Sequence, residues 1–146
     1  MEPTTELEKA IHTLVTKWQH ALGLRDWDLA WTWISREEMK EHYGKDDHTI
    51  AITHYNLGAR RASIRFRKDE EWHVTEDLFD PNNVEHTIVH ELVHIYLAPI
   101  CHTTDMISDS TESALVKVAL RQVEEDLVDS IVELVYSNAK KKEGTV

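Results

Sequence analysis

The sequence predicts an α+β fold: an N-terminal helix, a small antiparallel sheet of at least three strands, a central buried helix and a long C-terminal helix. Three patterns support this prediction. Apolar residues recur at helical spacing in the first segment, apolar and polar residues alternate in the middle, and a nearly all-apolar run precedes a last amphipathic segment. With 146 residues, the chain is long enough for one packed domain but short for two. We expect a single domain over 1–138 and a frayed basic tail over 139–146.

The first segment is predicted to be an amphipathic helix. Its apolar residues lie three or four positions apart, which places them on one side of a helix. They are Leu7, Ile11, Leu14, Val15, Trp18 and Leu22. Thr5 and Glu8 have the spacing of a capping box, and Gly23 is a suitable stop. We therefore assign this segment to packing and not to chemistry.

Three strands are predicted from alternating residues in the middle of the chain. The first covers 26–34, the second covers 49–55, and the third follows a turn signal over 56–58. The third strand has an apolar face with Ala62, Ile64 and Phe66, and a polar face with Arg61, Ser63, Arg65 and Arg67. Its polar face indicates a strand that is open to solvent or substrate.

The most apolar segment is predicted to be a central helix over 84–98. Residues 80–83 supply N-terminal caps and a proline suited to a first helical turn, and Pro99 is expected to end the helix. A loop holding Cys101, His102 and Asp105 should follow. The last helix is predicted from near Ser110 to about Tyr136. Its expected core stripe consists of Val116, Leu120, Val123, Leu127, Ile131 and Leu134.

The central helix carries the sequence His90-Glu91-Leu92-Val93-His94. Two imidazoles four positions apart lie on the same side of a helix, at the spacing needed to hold one Zn²⁺. Glu91, beside the first histidine, is placed to act as a general base that takes a proton from an attacking water and passes it to a leaving amine. In an apolar helix, unpartnered histidine and glutamate side chains are costly, so a metal site explains them better than chance does.

A catalytic zinc site needs a third protein ligand. The single cysteine, Cys101, excludes a Cys-rich site, so histidines and carboxylates must hold the metal. Glu124 falls inside the predicted stripe of the last helix, where a carboxylate requires a partner. We rank Glu124 first and Glu125 second, with His102 and Glu112 as further candidates.

These residues resemble the gluzincin class of zinc peptidases, in which a glutamate on a helix after the His-Glu-x-x-His motif is the third ligand. The order of helix, sheet, motif helix and glutamate helix resembles minimal gluzincins and small phage-type metallopeptidases, and implies a zincin-like fold. The resemblance implies Zn²⁺ held by His90, His94 and Glu124, Glu91 as general base, and a peptide or protein substrate. In that class an edge strand pairs with extended substrate, and the strand containing Arg61, Ser63 and Arg65 is the candidate for this role.

Composition limits the partners. The formal net charge of −11 argues against a nucleic-acid partner on electrostatic grounds. The first residues lack a secretory signal and no apolar stretch is long enough to span a bilayer, so we expect a cytoplasmic protein without membrane association. One local cluster, formed by Arg60, Arg61, Arg65, Arg67 and Lys68, favours either an acidic partner or a solvated strand face.

An alternative hypothesis is a binding protein that zinc stabilises without catalysis, with a partner docked on the arginine-rich strand. That hypothesis predicts a closed site with four protein ligands, in which His102 or Cys101 completes the set. The presence of Glu91 argues against it, because a structural zinc site has no use for that carboxylate.

Overall fold

The computed structural model describes residues 4–44, 49–77 and 80–144, with side chains as far as Asn138. It confirms the α+β layout. The elements in chain order are α1 (Thr5–Ala21), β1 (Asp28–Ile34), α2 (Arg36–Tyr43), β2 (Ala51–Asn56), β3 (Arg61–Arg67), α3 (Val84–Tyr96), α4 (Ala98–Ser110) and α5 (Ala114–Gly144). Within the described ranges, no helix has both the length and the apolar character that crossing a membrane requires.

The sheet has three strands in the order β1-β3-β2, and it is mixed. β2 and β3 form the predicted antiparallel hairpin, with Thr53 opposite Ile64. β1 pairs with the other side of β3 in parallel, with Trp31 opposite Ile64. The prediction of a wholly antiparallel sheet was wrong because alternation fixes which face of a strand is buried and carries no information about its direction.

The central position of β3 corrects a second expectation. Because β3 has a neighbour on each side, its backbone groups are already paired and it cannot accept an added strand. β2 lies at an edge of the sheet and next to α3. A strand-pairing substrate near α3 would therefore meet β2.

The core lies between one face of the sheet and the helices α1, α3 and α5. The apolar residues of β3, Ala62, Ile64 and Phe66, are buried on this face as predicted. α3 is the centre of the core, since most of its apolar side chains are fully buried, including Ile88, Leu92 and Val93. Such a helix holds its side chains in fixed positions, which a metal site requires.

Local caps begin the helices close to where the sequence indicated. Asn83 accepts a hydrogen bond from the His86 amide and begins α3. Thr4, and not Thr5, begins α1 by accepting from the Leu7 amide. Both caps satisfy amide groups that the first turn of a helix leaves without partners.

The segment after α3 differs from the prediction. α3 ends at Tyr96, and the residues expected to form a loop around Cys101 and His102 form the helix α4 instead. Pro99 lies in the first turn of α4, where the backbone amide would have no partner within the helix, so the missing amide hydrogen breaks no hydrogen bond. Pro99 thus follows the end of α3 and also helps to begin α4.

α5 is longer than predicted and is rotated relative to its predicted stripe. Its helical backbone continues through the basic tail, which we expected to fray, as far as Gly144. Its fully buried residues are Val128, Val132 and Tyr136, whereas Val123 and Leu134 are exposed. At about 100° per residue, these three residues centre roughly 140° from the middle of the predicted stripe. Leu127 and Ile131 of that stripe are partly buried and still pack against the core.

A buried carboxylate joins α1, α3 and α5. Glu85, only 7% exposed, accepts hydrogen bonds from the Trp18 indole (Nε1 to Oε1, 3.0 Å) and the Tyr136 hydroxyl (3.3 Å to Oε2), with Lys17 Nζ 3.5 Å from Oε1. Burial, with the Glu85 charge beside it, raises the pKa of Tyr136, which therefore remains a hydrogen-bond donor. The Tyr136 hydroxyl thus contacts Glu85 in the core and not the histidines of the motif.

Replacing Glu85 by alanine should lower the free energy of unfolding by about 2–4 kcal/mol, because two buried donors lose their acceptor. Glu85→Gln should cost less, since its amide oxygen still accepts one of the two bonds. Urea denaturation measures both changes. Glu133→Ala, at an exposed position of α5, is the control, and an equal effect in all three variants would contradict the structural role of Glu85.

Candidate metal centre

The two motif histidines lie on the side of α3 that faces α5. Their Nε2 atoms are 3.2 Å apart, and both side chains are about three-quarters buried, with 25% of His90 and 22% of His94 exposed. The four-residue spacing stacks the two rings one turn apart, and the packed helix limits their movement. The two nitrogens therefore converge on one point.

Glu125 of α5 completes a cluster with these histidines. Its Oε2 atom is 3.9 Å from His90 Nε2, and its Oε1 atom is 3.7 Å from His94 Nε2. One ligand atom from each residue lies within 4.8 Å of the other two. Two imidazole nitrogens and a carboxylate oxygen are the donor set that zinc takes in catalytic sites, and their separations suit a single ion after small side-chain adjustments.

Glu124, which the sequence placed first among the third-ligand candidates, lies elsewhere. It accepts a hydrogen bond from the Thr104 hydroxyl of α4. Burial and the neighbouring carboxylates of Asp105 and Glu125 raise the pKa of Glu124 to about 7. The structure thus brings Glu125, and not Glu124, to the histidines, because the rotation of α5 turns Glu124 toward α4.

His102, Glu112 and Cys101 also lie outside the cluster. His102 is exposed on α4, and Glu112 is exposed in the connection before α5. Cys101 is buried, and burial raises the pKa of its thiol to about 11, which disfavours the thiolate that zinc needs. Among the described residues, the cluster contains two histidines and one carboxylate, and none of His102, Glu112 and Cys101 belongs to it.

Asp129, one turn after Glu125 on α5, contacts the far side of the His90 ring. Its Oδ1 atom is 3.4 Å from Nδ1 of His90, slightly longer than a normal N–H···O hydrogen bond. A carboxylate on this side of an imidazole favours a proton on Nδ1, which leaves Nε2 as the nitrogen that can bind metal. Sequence reasoning missed Asp129, although its four-residue spacing from Glu125 matches the spacing of the two histidines.

Asp129→Asn should weaken zinc binding without abolishing it. Outer carboxylates contribute about 10–100-fold to metal affinity, and we expect about tenfold because Asp129 is largely exposed. Competition with a chromophoric chelator measures the change. Asp126→Asn, an exposed aspartate that accepts from Gln122 on the same helix, is the matched control, and an equal loss in both variants would contradict a role for Asp129.

Glu91 is buried beside the cluster and faces the sheet. It is 6% exposed, and its Oε2 atom accepts a hydrogen bond from the Thr53 hydroxyl of β2. Thr53 shares the inward face of the sheet with Ile64. The edge strand therefore fixes the orientation of the carboxylate that the sequence predicts to be the base.

A cavity of about 420 Å³ contains the cluster and Glu91, with β2 along one side and α5 along the other. Its β2 side includes Thr53 and Tyr55, and its α5 side includes Arg121 and Glu125. Burial raises the pKa of Tyr55 to about 12, so its hydroxyl remains protonated and can donate a hydrogen bond. Sequence analysis had not singled out Tyr55 or Arg121.

No family model, curated protein or solved structure matches the chain. The site must therefore be interpreted from its own geometry. That geometry combines a three-donor cluster, a buried carboxylate and a cavity beside a sheet edge. The three-donor cluster could hold one divalent cation, and Glu91 is the carboxylate nearest to it on α3.

The arginine-rich face of β3 points away from this site. Arg61 lies 3.8 Å from the Asp28 carboxylate, and Arg65 stacks on Tyr43 with its guanidinium carbon 5.6 Å from the ring centre. Ser63 occupies the same outer face, by its register with His54. The structure does not bring Arg61, Ser63 and Arg65, the predicted substrate-binding residues, to the motif, because the alternation that buries Ile64 toward α3 directs them to the opposite side of the sheet.

Proposed function

We propose that this protein is a zinc-dependent peptidase of gluzincin type that hydrolyses peptide bonds. The observation that carries the proposal is the convergence of His90, His94 and Glu125 beside the buried carboxylate of Glu91, within a cavity bounded by an edge strand. A non-catalytic zinc protein would have no need for that carboxylate or for an open cavity.

His90, His94 and Glu125 would hold the ion, with Asp129 orienting the His90 ring. Zn²⁺ in such a site supplies a Lewis acid that polarises a peptide carbonyl and makes water acidic enough to lose a proton near neutral pH. Glu91 takes that proton and delivers it to the leaving amine. The Thr53 hydroxyl keeps the Glu91 carboxylate in position during both transfers.

The substrate chain is proposed to lie along β2. Ala51, Thr53 and Tyr55 line the cavity, and the outer edge of β2 has no partner strand within the described ranges. Backbone hydrogen bonds to an edge strand hold a peptide extended and present one carbonyl at a fixed distance from the site. This assignment replaces β3 with β2 as the docking strand.

Digestion of a proteome-derived peptide library by the zinc-loaded protein tests the proposal. We expect cleavage at internal amide bonds, detected by mass spectrometry as new termini. Chelation should stop the cleavage and added zinc should restore it. If the folded, zinc-loaded protein leaves the library intact, the peptidase proposal is wrong, whereas cleavage that persists after chelation would point to a contaminating protease.

A further inference from the structure

The groove around the metal centre continues along α5 into a second cavity that the proposed chemistry does not use. This cavity has a volume of about 280 Å³ and is lined by Lys117, Val118, Arg121, Gln122 and Glu125. Arg121 and Glu125 also line the central cavity, so the two spaces adjoin. A substrate held at the metal centre would therefore extend into this space.

The second cavity has a positive wall. Lys117, Arg121 and Glu125 are four residues apart and form one stripe of α5 that leads to the metal cluster. Residues 114–122 contain these two cations and no acidic residue, in a chain whose net charge is −11. The Arg121 charge lies near enough to the Glu124 carboxyl to lower the pKa of that group, against the larger effect of burial.

The opposite end of the groove has a different character. A cavity of about 240 Å³ there shares four lining residues with the central one, and its remaining lining comes from Ile50, His86 and Thr87. The shared residues are Thr49, Ala51, His90 and Glu91. Those lining residues include no lysine or arginine. The acidic residues of the central cavity, Glu91 and Glu125, already have roles in the proposed site. Among the described lining residues, the groove is therefore electrically asymmetric, with its lysine and arginine at the α5 end.

We propose that Lys117 and Arg121 bind a carboxylate group of the substrate, so that the groove selects acidic peptides or peptides that end nearby. The inference rests on the proposed peptidase function and specifies its substrate class. A guanidinium group pairs with a carboxylate through two parallel hydrogen bonds, and Val118 provides an apolar surface for the adjacent aliphatic carbons. The carboxylate has two sources, an Asp or Glu side chain or a free C-terminus, and both present the same chemistry.

Peptide binding to the zinc-loaded Glu91→Gln variant tests this inference without requiring catalysis. The probes are a peptide of alternating valine and threonine with one glutamate, its glutamine counterpart, and both sequences with an amidated C-terminus, each carrying an uncharged BODIPY label at the N-terminus. Fluorescence anisotropy measures the binding of each probe to the Glu91→Gln variant and to the triple variant that also carries Lys117→Gln and Arg121→Gln. The matched control adds Lys9→Gln/Arg61→Gln, the same change of charge at exposed positions outside the groove.

We expect the glutamate probe with a free C-terminus to bind about tenfold more tightly than the amidated glutamine probe, which has no carboxylate, and the Lys117/Arg121 double variant to lose this preference while the control keeps it. Raised salt should reduce the preference. If only amidation removes it, the group is the C-terminus; if only the glutamine replacement does, it is a side chain. Equal binding of all probes, no binding of any, or equal loss in the control would overturn the inference. Library cleavage by the wild type reports separately on the proposed function.

Discussion

Glu125→Gln should abolish stoichiometric zinc binding, whereas Glu124→Gln should leave it intact. The two substitutions are isosteric and adjacent, and each removes one carboxylate. Only Glu125 lies with the histidine nitrogens, at 3.7 and 3.9 Å, while Glu124 accepts from Thr104 on α4. A neutral amide is a poor zinc ligand, so the Glu125 variant retains only two good donors.

Elemental analysis of protein purified without a metal-binding tag measures this difference. About one zinc per chain is expected in the wild type and in Glu124→Gln, and almost none in His94→Ala or Glu125→Gln after dialysis against a competing chelator. Added zinc should raise the midpoint temperature of unfolding for the wild type and Glu124→Gln only. A ligand at 100 times its Kd stabilises the folded state by about 2.7 kcal/mol. The opposite result, with zinc lost in Glu124→Gln and kept in Glu125→Gln, would make Glu124 the third ligand.

Glu91→Gln should reduce kcat by about 10²- to 10⁴-fold while zinc content remains unchanged. Glutamine has the same size as glutamate, and its amide oxygen can still accept the hydrogen bond from the Thr53 hydroxyl. An amide cannot take up a proton at neutral pH, however. Because Glu91 is not in the three-donor cluster, metal affinity should not follow the loss of activity. A peptide cleaved by the wild type, followed under single-turnover conditions, measures the effect.

Glu112→Gln is the control for this experiment, since it makes the same chemical change at an exposed position before α5. Thr53→Val should produce an intermediate loss in kcat, because it removes the group that orients the base and leaves the base itself in place. If Glu91→Gln keeps full activity with zinc bound, proton transfer takes place at another residue and the assignment of the base is wrong.

The parts of the fold that the sequence predicted well depend on local chemistry. α3 was predicted because its apolar residues surround it and Asn83 caps it, and His90 and His94 converge as four-residue spacing requires. The burial of Ile64 and Phe66 followed from alternation. Each of these features is determined by residues within one or two turns, or within one strand.

The remaining features depend on how distant elements pack. β1 pairs with β3 in parallel, and the alternation of apolar and polar residues along a strand does not predict whether two strands run parallel or antiparallel. Which of Glu124 and Glu125 faces the histidines depends on the rotation of α5 about its axis. The predicted stripe had the wrong orientation because it counted the apolar residues Val123 and Leu134 as core, and both are exposed in the structure. A better signal was present in the sequence, because the pair Glu125 and Asp129 repeats the spacing of the histidines that it contacts.

The proposed metal ligands come from two helices between which the whole of α4 intervenes in the chain. An ion held by His90, His94 and Glu125 would act as a reversible cross-link that closes this intervening segment into a loop. Such a closure restricts the unfolded chain, and it couples metal affinity to the docking of α5 against α3. Removing the ion would then loosen α4 and α5 before the α1–sheet core, so amide exchange in these two helices would report on metal occupancy.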